Sequence, residues 1–206
     1  MKKNNLILTI IVLTVGLFSI SGYAQTVTIG RQVWTSKNLN VSTYRNGDSI
    51  PQVQDQKTWS ELTTGAWCYY NNETSNGKKY GKLYNWYAVT DPRGLAPVGY
   101  HIPTYAEWTI LNAYLGEDGT KMKSISGWFN KGNGTNSSGF TGLPGGYRGG
   151  GATFGAIGDK GIWWSSTEYN SGDAWHCNLK YESRYISLST YYSDRPFGFS
   201  VRCLRD

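Results

Sequence analysis

Short stretches of alternating polar and apolar residues, broken by glycine-rich turns, make up most of this chain; a helical period runs long enough to define a helix only once. Thr26-Val27-Thr28-Ile29, a glycine at position 30 and Val33-Trp34 predict an N-terminal strand and hairpin. Residues 58–62 can close one helical turn, and Ala66-Trp67-Cys68-Tyr69-Tyr70 reads as a buried strand ending at the Asn71-Asn72 turn.

The helix begins after Pro103. Thr104 and Glu107 stand in capping-box spacing, in which each side chain satisfies a backbone N–H that the first turn leaves unpaired. Trp108, Leu111 and Leu115 follow on one face, and Gly116 ends the element. Beyond it come a short Lys121-Met122-Lys123 segment and a Gly/Asn/Ser-rich stretch over 131–139, which composition predicts to be a mobile loop.

From Phe140 onward the pattern is one of strands and tight turns. Residues 140–143, 162–166, 174–179, 185–188 and 198–203 are the apolar segments, spaced as a meander. The glycines between 145 and 161 lack the Gly-Lys-Ser/Thr ending of a phosphate cradle, so they serve turns and close backbone approach. Trp163 and Trp164 must face opposite sides of a strand: one enters the core, and the outward one could stack on a ligand. His176 and Cys177 point apart for the same reason and cannot form a Cys-His pair with each other. Together these elements predict an α+β domain of short strands with one clear helix, over about 104–115.

The apolar run from Leu6 to Ile20 stands apart. Lys2-Lys3 precede it and small residues up to Ala24 follow, the three parts of a secretory signal cleaved after Ala24. Residues 1–24 are therefore expected to be a signal peptide and 25–206 a single exported domain, with no membrane span once the signal is removed. Its location would be periplasmic, extracellular or at the cell surface. Eighteen basic residues against fourteen acidic ones then leave a charge of +4. The basic residues are scattered and form no run that tracks a phosphate backbone, so nucleic acid is excluded as a partner. An oxidising compartment predicts one disulfide and one spare thiol among Cys68, Cys177 and Cys203. Spacing leaves the pairing open, although closing the long loop from Cys68 to Cys203 would constrain the unfolded chain most, by roughly 4–5 kcal/mol in the entropic account.

Five ordered strings carry a family resemblance: Gly81-Lys82-Leu83-Tyr84-Asn85-Trp86-Tyr87-Ala88-Val89, Pro97-Val98-Gly99-Tyr100-His101-Ile102-Pro103-Thr104, Leu143-Pro144-Gly145-Gly146-Tyr147-Arg148, Trp163-Trp164-Ser165-Ser166-Thr167-Glu168 and Gly198-Phe199-Ser200-Val201-Arg202-Cys203. Across nearly all of the exported part the chain resembles the Fibrobacter succinogenes major paralogous domain family (FISUMP) of exported bacterial proteins. The resemblance implies a C-type-lectin-like fold, similar to that of formylglycine-generating enzymes and diversity-generating receptor proteins. Many members carry a cysteine before the proline of the Pro-x-Gly-x-His string. Here that residue is Ala96, so the resemblance implies a disulfide from Cys203 to Cys68. Tyr100 stands where many members have Trp.

Enzyme chemistry finds little footing. His101 has no accompanying Cys or Ser nucleophile motif, and the cap accounts for Glu107. A formylglycine-generating-like oxidase would need a thiol pair, and Cys177 with Cys203 does not match that motif. No catalytic residue, metal ligand set or cofactor is assigned. A structural calcium ion stays within the oxygen supply of Asp159, Glu168 and Asp173, without the triplets of calcium-dependent lectins.

The recognition chemistry concentrates in residues 169–197. Trp175, His176, Asn178, Tyr181, Arg184, Tyr185, Tyr191, Tyr192 and Arg195 lie among serines, a mixture that adaptable binding surfaces use. In the similar receptor proteins, ligand-facing residues also precede the final strand. The expected function is thus a secreted, non-catalytic binding or adhesion module for a polysaccharide or a cell-surface protein. The alternatives are a structural subunit of a surface assembly, in which the same aromatics pack between copies, and the oxidase.

Overall fold

The computed structural model describes residues 25–189 and 196–206; the expected signal peptide and Tyr191, Tyr192 and Arg195 lie outside the described residues. In chain order the elements are β1 (Thr26–Ile29), β2 (Gln32–Thr35), α1 (Gln56–Ser60), β3 (Trp67–Cys68), α2 (Thr74–Tyr80), β4 (Leu83–Tyr84) and α3 (Trp86–Val89). Then follow β5 (Tyr100–His101), α4 (Tyr105–Tyr114), β6 (Gly145–Arg148), β7 (Phe154–Ile157), β8 (Lys160–Glu168), β9 (Ala174–Lys180), β10 (Ser187–Ser189) and β11 (Leu204–Arg205). This is an α+β architecture of small, mostly antiparallel sheets. Among the described residues no helix is long and apolar enough to cross a membrane.

The N-terminal hairpin forms as its pattern requires, with Gly30 at φ +62° in the turn between β1 and β2. That pair joins β11 and β5 in a four-stranded sheet of order β1-β2-β11-β5, which brings the two ends of the domain together. The expected meander is present as β8-β9-β10, whereas the segment after Phe197 leaves it. Single bridges tie Phe199 to Tyr84 and Ser200 to Trp163 before β11 enters the four-stranded sheet. Among the expected turn glycines, Gly146 has φ +66°, and a Cβ there would come within 2.4 Å of the Gly155 carbonyl across the β6–β7 pair.

Around its tryptophans the β8–β9 hairpin is covered on both faces, which decides their fate. Ile162, Trp164 and Ala174 enter one core cluster with Tyr84, Trp86 and Phe199. Trp163, Cys177 and Leu179 enter a second with Trp34, Trp108 and Phe140. Trp163 and Trp164 do point to opposite sides, but both are fully buried, so neither is an outward platform.

α4 has both halves of the capping box and packs Trp108 and Leu111 into the second cluster. The 131–139 segment is tied down, contrary to its composition. Gly134, Thr135 and Ser138 donate backbone N–H groups to Ser124, Thr120 and Lys121, and Asn133 accepts from the Trp128 N–H.

All three cysteines are free and buried, which corrects the expected Cys68–Cys203 disulfide. Each thiol packs into a different cluster: Cys203 in the first, Cys177 in the second, and Cys68 in a third with Trp59, Tyr70 and Leu83. Burial pushes the thiols up, Cys68 to about 11 and Cys203 to about 12, and Cys177 is raised as well. The thiols therefore behave as small apolar core residues.

Irregular backbone on this scale needs donors for its carbonyls, and buried cations provide them. Arg202 is 1% exposed and stacks 4.3 Å from the Phe140 ring centre. Its guanidinium donates to the carbonyls of Thr35 (2.7 Å), Phe140 (2.7 Å) and Thr141 (3.0 Å) and to Asn38 Oδ1 (2.7 Å). Arg148 serves Val53, Gln54, Asp55 and Ala152 in the same way, while Lys123 serves Tyr181 and Ser183. Lys82 donates to the Asn40 carbonyl and Ser42 Oγ. None of these four makes an ion pair among the described residues. Arg suits the role because its rigid fork offers five donors at once.

Candidate binding cleft

One face of the β8-β9-β10 sheet carries an open cleft of about 340 Å³. Its floor follows from period-two alternation on three paired strands. Lys160 lies opposite Lys180, Asn178 is flanked by Ile162 and Ser187, and His176 faces Ser189. Tyr147 of β6 and the Phe197 and Phe199 rings complete the lining. The three rings pack on one another at centroid distances of 5.7–6.4 Å, and His176 leans on Phe199 at 5.2 Å.

Among the described residues, two buried side chains on the floor each keep one polar atom unpaired. His176 is 4% exposed and Asn178 8% exposed, yet His176 Nδ1 and Asn178 Oδ1 are buried without a hydrogen-bond partner among the described residues. Buried polar groups are nearly always paired, so two such orphans in adjacent rows of one open cleft stand out. Burial, reinforced by the charge of Lys160, pulls the His176 pKa down to about 4. At neutral pH its ring is uncharged and offers one donor and one acceptor. The cleft can thus give an entering polar molecule apolar ring faces, an amide, an imidazole, the Ser187 hydroxyl and two ammonium groups.

The structure brings together only part of the set expected from sequence. His176 and Asn178 meet in the cleft. Trp175 lies on the other face of β9, half-buried between Tyr105 (4.2 Å) and the exposed Tyr169 (5.3 Å). Tyr181 packs against the second core cluster and lends its carbonyl to Lys123. Arg184 is exposed and pairs with Asp118 at 3.5 Å beside the exposed Tyr185. Tyr191, Tyr192 and Arg195 lie outside the described residues, between the lining residues Ser189 and Phe197.

Sequence reasoning missed Lys160, Lys180, Ser187, Tyr147, Phe197 and Phe199. The signal for the floor was present: Lys160-x-Ile162, His176-x-Asn178-x-Lys180 and Ser187-x-Ser189 each place alternate residues on one strand face.

The other candidate chemistry is employed in the fold. His101 Nε2 meets Glu107 Oε1 at 2.8 Å, and His101 Nδ1 meets Asp206 Oδ1 at 2.8 Å, which ties β5 to the cap of α4 and to the C-terminal residue. Partial burial lowers the His101 pKa, but hydrogen bonds and charge from the two carboxylates outweigh it and the net shift is upward. Burial likewise raises Glu107, and the Thr104 N–H and His101 outweigh it in the downward direction. Among the described residues no three His, Cys, Asp or Glu side chains gather as a metal site, and Asp159, Glu168 and Asp173 are not brought together as one.

Among curated proteins none matches the chain. The model of the Fibrobacter succinogenes major domain matches residues 27–205, nearly everything after the expected signal peptide. Of the ordered strings, Tyr84, Trp86, Trp164 and Phe199 enter the first core cluster and Tyr147 and Phe199 line the cleft, and the protein belongs to the Fibrobacter succinogenes major domain family.

Proposed function

We propose that the domain is an exported, non-catalytic binding module that seats a segment of polysaccharide in the cleft over β8, β9 and β10. The observation that carries this reading is a pair of buried polar atoms without a partner among the described residues, His176 Nδ1 and Asn178 Oδ1, on two residues that line a cleft walled by aromatic rings. A sugar supplies both complements, an apolar ring face for the aromatics and hydroxyls for the amide and imidazole. Leaving such atoms unpaired costs about 1–3 kcal/mol each, a cost that a hydroxyl-bearing ligand removes. The family resemblance supports export and a C-type-lectin-like arrangement, in which the C-terminal part of the chain faces the ligand.

The test is a glycan panel probed with the exported protein and with Asn178→Leu. Leu keeps the branched shape and heavy-atom count of Asn, although it is bulkier, and removes the orphaned acceptor. Binding by the natural protein and its loss in Asn178→Leu, with an unchanged thermal transition, are expected. Equal binding by both forms, or no binding to any glycan, overturns the reading.

A further inference from the structure

We infer that the cleft selects an anionic saccharide, one bearing carboxylate or sulfate groups, through Lys160 and Lys180; the inference rests on the polysaccharide reading above. The two lysines are direct cross-strand partners at one end of the floor, on the same face as Asn178 and His176. Like charges placed opposite each other on a sheet repel and destabilise it, so folding alone gives no reason for this pair. Both are half-buried, and neither makes an ion pair among the described residues.

The remaining lining residues carry no counter-charge. Among the described residues no Asp or Glu lines the cleft, and the acids nearest in sequence, Asp159 and Glu182, are not part of it. The buried cations Arg148, Arg202, Lys82 and Lys123 are consumed by backbone carbonyls, whereas the ammonium groups of Lys160 and Lys180 have no hydrogen-bond acceptor among the described residues. The charge of Lys160 also bears on His176, so the positive field reaches the floor. An anion between the two ammonium groups relieves their repulsion, while the attached sugar ring covers the aromatic wall and meets Asn178. Two charge-assisted hydrogen bonds at a partly enclosed site outweigh what a hydroxyl would gain there.

Binding of oligogalacturonate, sulfated galactan and neutral galactan oligosaccharides is measured for the exported protein and for the Lys160→Gln/Lys180→Gln variant, at low and high salt. Anionic oligosaccharides are expected to bind on the order of tenfold more tightly than the neutral one, with the advantage reduced by salt and abolished in the variant. The relative strength of the galacturonate and the sulfated galactan shows which anion is preferred. The variant is also expected to melt no lower than the natural protein, because repulsion has been removed. Neutral binding as tight as anionic binding, or a preference that survives the double substitution, overturns this inference and leaves the polysaccharide reading standing. Failure of all saccharides, on these probes and on the wider panel, overturns both.

Discussion

The protein's two histidines occupy opposite environments. At the junction of β5 and α4, His101 is about a third exposed, both ring nitrogens face carboxylates at 2.8 Å, and its pKa is raised. On the cleft floor, His176 is buried, Nδ1 has no partner among the described residues, and its pKa falls to about 4. The first is the pattern of the rest of the fold, whose extreme is Arg202 with four acceptors around one guanidinium. The second occurs where the molecule is open. Arg202 and His101 are saturated by the fold they hold together, whereas His176 Nδ1 and Asn178 Oδ1 on the cleft floor have no partner among the described residues.

The largest effect should come from the saturated side. Arg202→Ala strands the carbonyls of Thr35, Phe140 and Thr141 and opens a void beside Phe140; urea unfolding should show a loss of at least about 3 kcal/mol, or no folded protein. A loss below about 1 kcal/mol would break the comparison at its strongest point.

The histidines then separate by pH. His176 has a lowered pKa, so the unfolded chain binds a proton that the folded one refuses. Its presence costs stability as pH falls below the ordinary histidine value of about 6.5 toward about 4. Between pH 7 and pH 5 this amounts to about 2 kcal/mol, and His176→Phe should remove that acid sensitivity in thermal melts taken across the range. Acid unfolding identical in the two proteins would show that His176 is not held neutral by burial.

His101→Gln should give the smallest effect and the opposite sign. His101 has a raised pKa, so its contribution is fully present below about pH 6.5 and is lost as pH rises through the raised value; Glu107 has a lowered pKa, so its contribution is lost only as pH falls below the ordinary carboxylate range. The stability difference between the natural protein and His101→Gln is therefore expected to peak at about 1 kcal/mol near pH 5–6 and to shrink by pH 8. A difference that grows toward alkaline pH would contradict the pairing with Glu107 and Asp206.

Much of the local structure was legible in residue order. The Thr104–Glu107 box, the turn at Gly30 and the opposed faces of Trp163 and Trp164 all involve neighbours within four residues, which the backbone period alone relates. The cysteines and the 131–139 segment show the limit of that reading. Three cysteines in a chain expected to be exported predict a bridge, and polar composition predicts mobility, but core clusters separate the thiols and backbone hydrogen bonds pin the segment. The nine-residue recognition set fared similarly: the composition of 169–197 marked the region, yet only His176 and Asn178 enter the cleft among its described members.

By itself the sequence determined the hairpin, the one long helix with its cap, the alternating faces of β8 and β9, and the family, because each depends on periodicity, capping chemistry or residue order. Only the tertiary structure decided that β8–β9 is covered on both faces at Trp163 and Trp164, that Arg148 and Arg202 spend their donors on distant carbonyls, and that Lys160, Lys180, Asn178 and His176 share a floor with Tyr147 and Phe199. The reason is the range of the interactions. A strand's period states which residues share a face, but what covers that face, or leaves it open, comes from segments far away in the chain.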